Sequence, residues 1–234
     1  MKKLIVVTSG TKGIGRAIVK LFAEHGFDVA TCARTEGDLK KLKKEIEEEY
    51  DNEVFIHTAD MSEEAQVQSF TGYLKSLDRP VDILVNNTGY FAPGGVLDES
   101  FGSLQKMMET NLYSAFLMSQ AIGKSMRSRK KGYIFNICSI ASLVAYASGG
   151  LYAITKHAML GMSRVLREEL KEHNVRVSSV MPGATLTASW EGVDMPEERF
   201  MKPEDVAEAI FSAYTMSSRS VVEEIVIRPQ LGDI

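Results

Sequence analysis

Apolar residues recur along the 234-residue chain in two alternating rhythms. Short, nearly continuous apolar runs at 4–7, 29–32, 54–57, 81–85, 133–138, 175–180 and 221–227 predict seven strands. Between them apolar residues return every three or four positions, the period of a helix with one buried face. Ile14, Ala17, Ile18, Leu21 and Phe22 make such a stripe over 14–25, which stops at Gly26. Leu39, Leu42, Ile46 and Tyr50 make another over 37–50. Charges in that stretch fall at i,i+4 spacing in Lys41–Glu45, Lys43–Glu47 and Lys44–Glu48, so 40–49 reads as a solvated face. Further helices are expected over 63–77 with Ser62 as cap, 103–127, 151–172 and 203–213. Apolar strands alternating with helices predict a parallel sheet covered on both faces, a doubly wound seven-stranded α/β fold. No linker interrupts the pattern, so 1–234 reads as a single domain. The least regular stretch is 182–202, which carries Gly, Pro and Trp; a loop that long in a compact domain is usually functional.

Composition narrows the partners. With 27 Lys+Arg against 31 Asp+Glu the net charge is −4, which argues against nucleic acid or an anionic membrane as the main partner. The two Cys, at 32 and 138, lie in apolar segments and suggest reduced thiols in a cytoplasmic protein. The apolar run after Lys3 is shorter than the ~7–15 residues of a signal-peptide core. No stretch approaches the ~18–20 apolar residues of a membrane span. A chain this long buries enough surface to fold without a structural metal, and none is expected.

The first strand runs straight into Thr8-Ser9-Gly10-Thr11-Lys12-Gly13-Ile14-Gly15 and then a helix. A Gly-rich turn feeding a helix aims backbone N–H groups at an anion, as in the pyrophosphate sites of doubly wound sheets. The glycines stand at 10, 13 and 15, so this is not the G-x-G-x-x-G spacing. Sites for NAD place an acid at the end of the second strand. Here Arg34 follows that strand, with no acid before Glu36. Its guanidinium suits a 2′-phosphate, and Lys12 adds a second positive charge, so NADPH/NADP+ is expected over NAD(H). Asp60, with Met61 beside it, and Asn86-Asn87 fall at the ligand-binding edge after the third and fourth strands. Asp60 would equally serve as a cap, and the asparagines as ties between loop backbones.

Tyr152 and Lys156 are four apart in a helix and share a face. Carbonyl reduction needs a proton donor, and free Tyr has a pKa of ~10. A nearby ammonium stabilises the phenolate and lowers that value. Ser139, ending the fifth strand, offers a second hydrogen bond to a developing alkoxide. Asn111 is polar where Leu112 and Phe116 look buried, so it needs partners and suits a water in a proton chain.

These motifs, in order, resemble the short-chain dehydrogenase/reductase family over nearly the whole chain. Thr8–Gly15 is similar to its Thr-Gly-x-x-x-Gly-x-Gly turn, and Asn86-Asn87-Thr88-Gly89 to its Asn-Asn-Ala-Gly. Asn111, Ser139, Tyr152 and Lys156 match its catalytic tetrad, including the 13-residue step from Ser to Tyr. Pro182-Gly183 with Thr185 and Thr187 resembles the segment that contacts the nicotinamide. The resemblance implies a Rossmann-type domain that transfers hydride between NADP(H) and a ketone or aldehyde. Tyr152 would be the acid/base, with Ser139 on the substrate oxygen. Lys156 would hold the nicotinamide ribose and Asn111 sustain the proton relay. The cofactor wall would include Ser9 to Gly15, Asp60, Met61, Asn87 and Gly89. Two departures stand out: Ser9 replaces the family's first Gly, and Thr88 its Ala. If position 9 needs φ > 0, Ser9 is strained unless Gly10 takes over the turn.

Substrate residues are expected among Tyr90, Phe91, Val144, Tyr146 and Trp190, in part on a loop at 186–202. An indole at 190 would stack on a flat ring or simply anchor the loop. That loop and the tail 221–234 resemble the bacterial sepiapterin reductase branch, which implies a pterin ketone as substrate. Asp233 would then meet a substrate amine, or fray as a terminal acid. A 3-oxoacyl-acyl-carrier-protein reductase is the alternative enzyme. Its acidic carrier would suit Arg127-Ser128-Arg129-Lys130-Lys131, although the same cations complement a helix C-terminus. A non-catalytic NADP(H) sensor is the alternative of another class; the intact tetrad argues against it. The resemblance also implies a homodimer or homotetramer through the helices at 103–127 and 151–172.

Overall fold

The structure, a computed structural model, describes residues 1–147, 149–190, 192 and 194–233. Glu191 and Val193 of the expected substrate loop, Ile234 of the tail, and Ser148 lie outside the described residues. Seven strands run as β1 (Leu4–Thr8), β2 (Asp28–Ala33), β3 (Val54–Thr58), β4 (Val81–Asn86), β5 (Gly132–Ile137), β6 (Val175–Pro182) and β7 (Glu224–Ile227). The helices are α1 (Gly13–Glu24), α2 (Glu36–Glu49), α3 (Glu64–Ser76), α4 (Phe101–Met108), α5 (Ser114–Arg129), α6 (Gly150–Leu170) and α7 (Pro203–Thr215). The strands form one parallel sheet in the order β3-β2-β1-β4-β5-β6-β7. The order reverses between β1 and β4, and the crevice beyond that point is where such sheets hold ligands.

Burial on both faces explains the continuous apolar strands. In β1, Ile5 and Val7 join the core under α1 and α7, with Ile18, Phe22 and Ile210. Leu4 and Val6 face the other side, with Val67, Phe70, Met118 and Ile122 from α3 and α5. Behind the crevice a buried polar ladder ties the middle strands together. The Asn86 amide donates to Asn136 Oδ1 at 2.8 Å and Ser119 Oγ at 2.9 Å. The Asn136 amide donates to Ser163 Oγ at 2.9 Å, and the Ser179 hydroxyl reaches the same oxygen at 2.8 Å. An unmade buried hydrogen bond costs about 1–3 kcal/mol, so this ladder disfavours any other register of β4, β5 and β6.

Several expectations are corrected. The helix expected over 103–127 begins at Phe101, where the Ser100 side chain accepts from Ser103 N. It is then interrupted by a π turn, Glu109–Tyr113, between α4 and α5. Ser62 does not cap α3: its hydroxyl donates to Asp60 Oδ1 at 2.8 Å and Glu63 takes the N-cap position. Lys43–Glu47 and Lys44–Glu48 pair at 3.1 and 3.7 Å. Glu45 instead turns from Lys41 to Arg16 and Lys20 of α1, at 2.6 and 2.9 Å. Hydrogen bonds from Lys20 and Arg16 hold its carboxyl below the usual range. That face of α2 is therefore partly clamped to α1. Strand β7 starts at Glu224, not at 221 as expected, and Val221 and Val222 pack against the core before it.

The basic run that closes α5 serves the fold. Arg129 donates to the Val81 carbonyl at 2.6 Å, Lys130 takes the left-handed C-cap, and Lys131 lies 3.6 Å from Asp82. The stretch 182–202 is pinched at its base, where Leu186 N–H donates to Met201 O and Met201 N–H to Ala184 O. Among the described residues no helix is long and apolar enough to cross a membrane.

Candidate active site

The phosphate turn is tied to the end of β4 by short polar side chains. Thr8 Oγ1 accepts the backbone N–H of Asn87 at 2.9 Å and of Thr88 at 3.0 Å. The Asn87 amide returns to the carbonyls of Thr8 and Ser9, at 3.0 and 3.2 Å. Thr31 donates to Val7 O at 2.7 Å and accepts Gly10 N–H at 3.1 Å. A side chain on Gly10 would run into that hydroxyl, so this glycine is needed for packing. The left-handed conformation falls on Ser9, with φ 54, and on Gly13, with φ 51. Ser9 and Thr88 hydrogen-bond to each other through their hydroxyls at 2.8 Å. Gly15 lets α1 start against Asn87 and the Ser9 carbonyl.

The expected charges line the same edge. Arg34 stands exposed just after β2. Lys12, also exposed, pairs with Asp38 of α2 at 3.4 Å. Asp60 accepts from the Ser62 backbone and hydroxyl in a local turn. Burial pushes the Asp60 carboxyl up, but Ser62 and the charges of Arg34 and Lys106 outweigh it and leave it below its ordinary range. Met61 is buried, its sulfur 3.4 Å from Cys32 Sγ.

The four tetrad side chains come together across the sheet edge. The π turn carries Asn111, fully buried. Such widened turns often mark functional sites. Its Oδ1 accepts Tyr90 N–H at 2.6 Å, and its amide donates to Tyr90 O and Thr155 Oγ1, both at 2.9 Å. Both donors of that side chain thus go to protein atoms. Thr155 donates onward to the Tyr152 carbonyl at 2.8 Å. Ser139 opens a short helical turn, its Oγ accepting Ala141 N–H at 3.1 Å. Lys156 is buried and its ammonium donates to the Ile137 carbonyl at 2.8 Å, 5.6 Å from the Tyr152 ring centroid.

Burial dominates the electrostatics. Dense packing around the Tyr152 phenol pushes its pKa up to about 12, against a hydrogen bond with Ser139 that lowers it. Burial brings Lys156 down to about 8. The expected lowering of Tyr152 by Lys156 does not occur in this geometry: burial raises the phenol, Ser139 alone opposes it, and each group is shifted toward its neutral form. Cys138 is buried beside them, its thiol pushed up to about 11 by burial.

The rim is aromatic and apolar. Phe91 sets its ring edge-on to Tyr152 at 5.2 Å, while Tyr90, Val144 and Tyr146 are exposed. Trp190 packs on Phe200 at 5.0 Å, so its indole anchors the loop and does not face Tyr152 in a pair of its own. Pro182 ends β6, and Gly183 N–H donates to Ile227 O at 2.8 Å. Thr185 turns its hydroxyl to the Gly183 carbonyl at 3.1 Å. Thr187 crosses over the phosphate turn, where a Cβ on Gly13 would lie 3.0 Å from it. Asp233 pairs with Arg228 at 3.0 Å and lies against Gly183. Gly89 leaves space beside Lys156 and Asn111, where a Cβ would stand 3.5 and 3.9 Å from their polar atoms. The sequence places Thr8 in the phosphate turn without showing its partners, and it does not single out Thr31 or Thr155. Thr155 carried a signal, since it lies three residues after Tyr152 on the same helical face. Among the described residues no group of three or more His, Cys, Asp or Glu side chains is arranged to hold a metal ion.

Residues 3–198 match the short chain dehydrogenase family. A sepiapterin reductase of Chlorobaculum tepidum is 36% identical over 242 residues, covering 100% of this chain and 99% of the relative. L-Sorbose reductase from Gluconobacter frateurii, complexed with NADPH and L-sorbose, superposes with a TM-score of 0.90 at 25% identity, over 97% of this chain and 95% of the other. An alcohol dehydrogenase from the archaeon Thermococcus sibiricus, complexed with 5-hydroxy-NADP, gives 0.88 at 28% identity, over 98% and 97%. The parallel sheet, the turn after β1 and these matches along the whole chain agree: the protein belongs to the short chain dehydrogenase family.

Proposed function

We propose that this protein is an NADPH-dependent reductase of a ketone or aldehyde, with a pterin ketone of the sepiapterin type as its first substrate class. The observation that carries the reading is the meeting of Asn111, Ser139, Tyr152 and Lys156 beside the phosphate turn. The residues present fit the cofactor: Gly13 and Gly15 leave a cradle at the start of α1, and Gly89 opens space next to Lys156. Backbone N–H groups at that helix start would hold the pyrophosphate, with Arg34 and Lys12 on a 2′-phosphate. Pro182, Gly183, Thr185 and Thr187 would flank the nicotinamide. When bound, NADPH supplies the hydride for the carbonyl carbon.

Tyr152 gives its proton to the carbonyl oxygen, and Ser139 hydrogen-bonds that same oxygen. A phenol raised to about 12 stays protonated through the neutral range, which suits an acid. Making its phenolate in a half-buried place needs compensating charge, and Lys156 supplies it while protonated. Asn111 acts as a brace, joining the Tyr90 segment to Thr155 and thereby to the backbone of Tyr152. Phe91, Tyr90, Val144 and Tyr146 offer apolar and aromatic surface for a flat substrate. The 36% identical sepiapterin reductase supports the pterin class. Arg129 and Lys131 already serve β4, which weakens the case for an acidic carrier protein.

The π turn and α5 expose Tyr113 and Phe116 beside a groove of about 840 Å³ shared with α3, and α6 exposes Ile154 and Val165. This apolar face fits a second copy of the chain in a homodimer or homotetramer.

Tyr152→Phe is expected to cut turnover roughly 100- to 10,000-fold while NADPH still binds. NADPH consumption with sepiapterin, acetoacetyl thioesters and diketones measures this, and ranks the substrate classes. Full activity in the variant would remove the acid; no turnover on any substrate would favour a sensor. Lys156 keeps its proton below about 8 and loses it above, so kcat/KM for NADPH should fall above about pH 8. A profile level to pH 10 contradicts that role. Arg34→Ala should lower kcat/KM for NADPH about 10- to 100-fold and leave NADH nearly unchanged, since a charge-assisted bond is lost. An equal loss for both cofactors refutes the 2′-phosphate assignment. Light scattering should give two or four copies, and Phe116→Asp should shift it toward one; a monomeric wild type ends the assembly reading.

A further inference from the structure

We propose that Ser9 and Thr88 form a positioning pair, a hydroxyl clasp that preorganises the phosphate turn for the cofactor. The inference rests on the NADPH reading above. Ser9 holds φ 54, a conformation that side-chain-bearing residues rarely adopt. Gly10 does not relieve it, because its own φ is not positive and Thr31 fills the space beside it. Thr88 is nearly buried, and a buried hydroxyl without a partner is destabilising. Each residue alone is thus a liability. They stand 79 positions apart, yet their hydroxyls meet at 2.8 Å. These are also the two places where the chain departs from the Gly and Ala of the motifs it resembles. The departures answer one another: Thr88 gives strained Ser9 a partner, and Ser9 satisfies Thr88.

The clasp lies where it bears on the cofactor site. Ser9 O accepts from the Asn87 amide, and Thr88 N–H donates to Thr8. With the hydroxyl bond these contacts close a ring between the end of β1 and the end of β4. Ser9 directs the turn that leads to Gly13 and the start of α1. Thr88 precedes Gly89, where a Cβ would stand 3.5 Å from Lys156 Nζ. Fixing both before binding lowers the ordering cost of the bound state. The clasp therefore acts on cofactor affinity, and through it on KM for NADPH more than on kcat.

A double-mutant cycle tests this, with NADPH Kd read by fluorescence titration and kcat and KM read by turnover. Thr88→Val keeps the shape without the hydroxyl, and Thr88→Ser keeps the hydroxyl. Thr88→Val and Thr88→Ala should raise the NADPH Kd about tenfold, while Thr88→Ser should stay within about twofold of wild type. Ser9→Gly combined with Thr88→Ala should bind more tightly than Thr88→Ala alone, because glycine accepts the turn without a partner. Thermal melts of Thr88→Val and Thr88→Ser establish that both are folded. Wild-type affinity in Thr88→Val, or single effects that simply add in the double variant, would overturn the clasp alone. Failure of the wild type to bind NADPH would overturn the cofactor reading and the clasp with it.

Discussion

Two backbone N–H groups, of Asn87 and Thr88, converge on one hydroxyl, that of Thr8. They do so where β1 and β4 part and the crevice opens. Parallel strands that diverge leave backbone donors without sheet partners, and buried donors must be satisfied. A threonine at the end of β1 meets that need from a side chain. The cofactor edge depends on this closure. It fixes Asn87, whose amide holds the carbonyls of Thr8 and Ser9, and hence the path into α1. It also sets where Gly89 sits relative to Lys156 and Asn111.

A second constraint is the packing around Tyr152 and Lys156, where the lysine is buried and the tyrosine half-buried. Burial moves an acid up and a base down, so Tyr152 holds its proton more firmly and Lys156 less firmly than either would in water. A lysine alone does not make the tyrosine acidic here. Its ammonium is bonded to the Ile137 carbonyl, and what lowers the phenol is Ser139, against the larger effect of burial. The balance between desolvation and compensating charge is set by which carbonyls and hydroxyls surround the cleft.

Support for this cluster comes from further away than the tetrad itself. Asn111 reaches Tyr152 only through Thr155 and a backbone carbonyl. The π turn that carries Asn111 is one residue wider than a regular turn, which re-aims its side chain between α4 and α5. Behind them the Asn86–Asn136–Ser163–Ser179 ladder holds three strands in register. The polar core thus bears on position as much as on stability.

The apolar periods of the chain determined the seven strands, the helices and their order, because burial of one stripe or two faces is a local property of spacing. The ordered motifs likewise marked the phosphate turn and singled out Ser139, Tyr152 and Lys156 as candidates, because these lie near a strand end or on one helix face. The π turn was not legible, since its residues keep an ordinary helical pattern. Nor was the loss of Lys41–Glu45, because the competitors for Glu45 come from α1 and not from α2. Whether Ser9 or Gly10 took the left-handed turn depended on Thr31, on a neighbouring strand. The Ser9–Thr88 contact and the opposed shifts of Tyr152 and Lys156 were decided in the same way. Periodicity records what each segment buries, whereas a hydroxyl's partner and a side chain's pKa depend on groups remote in sequence that only packing brings within a few ångströms.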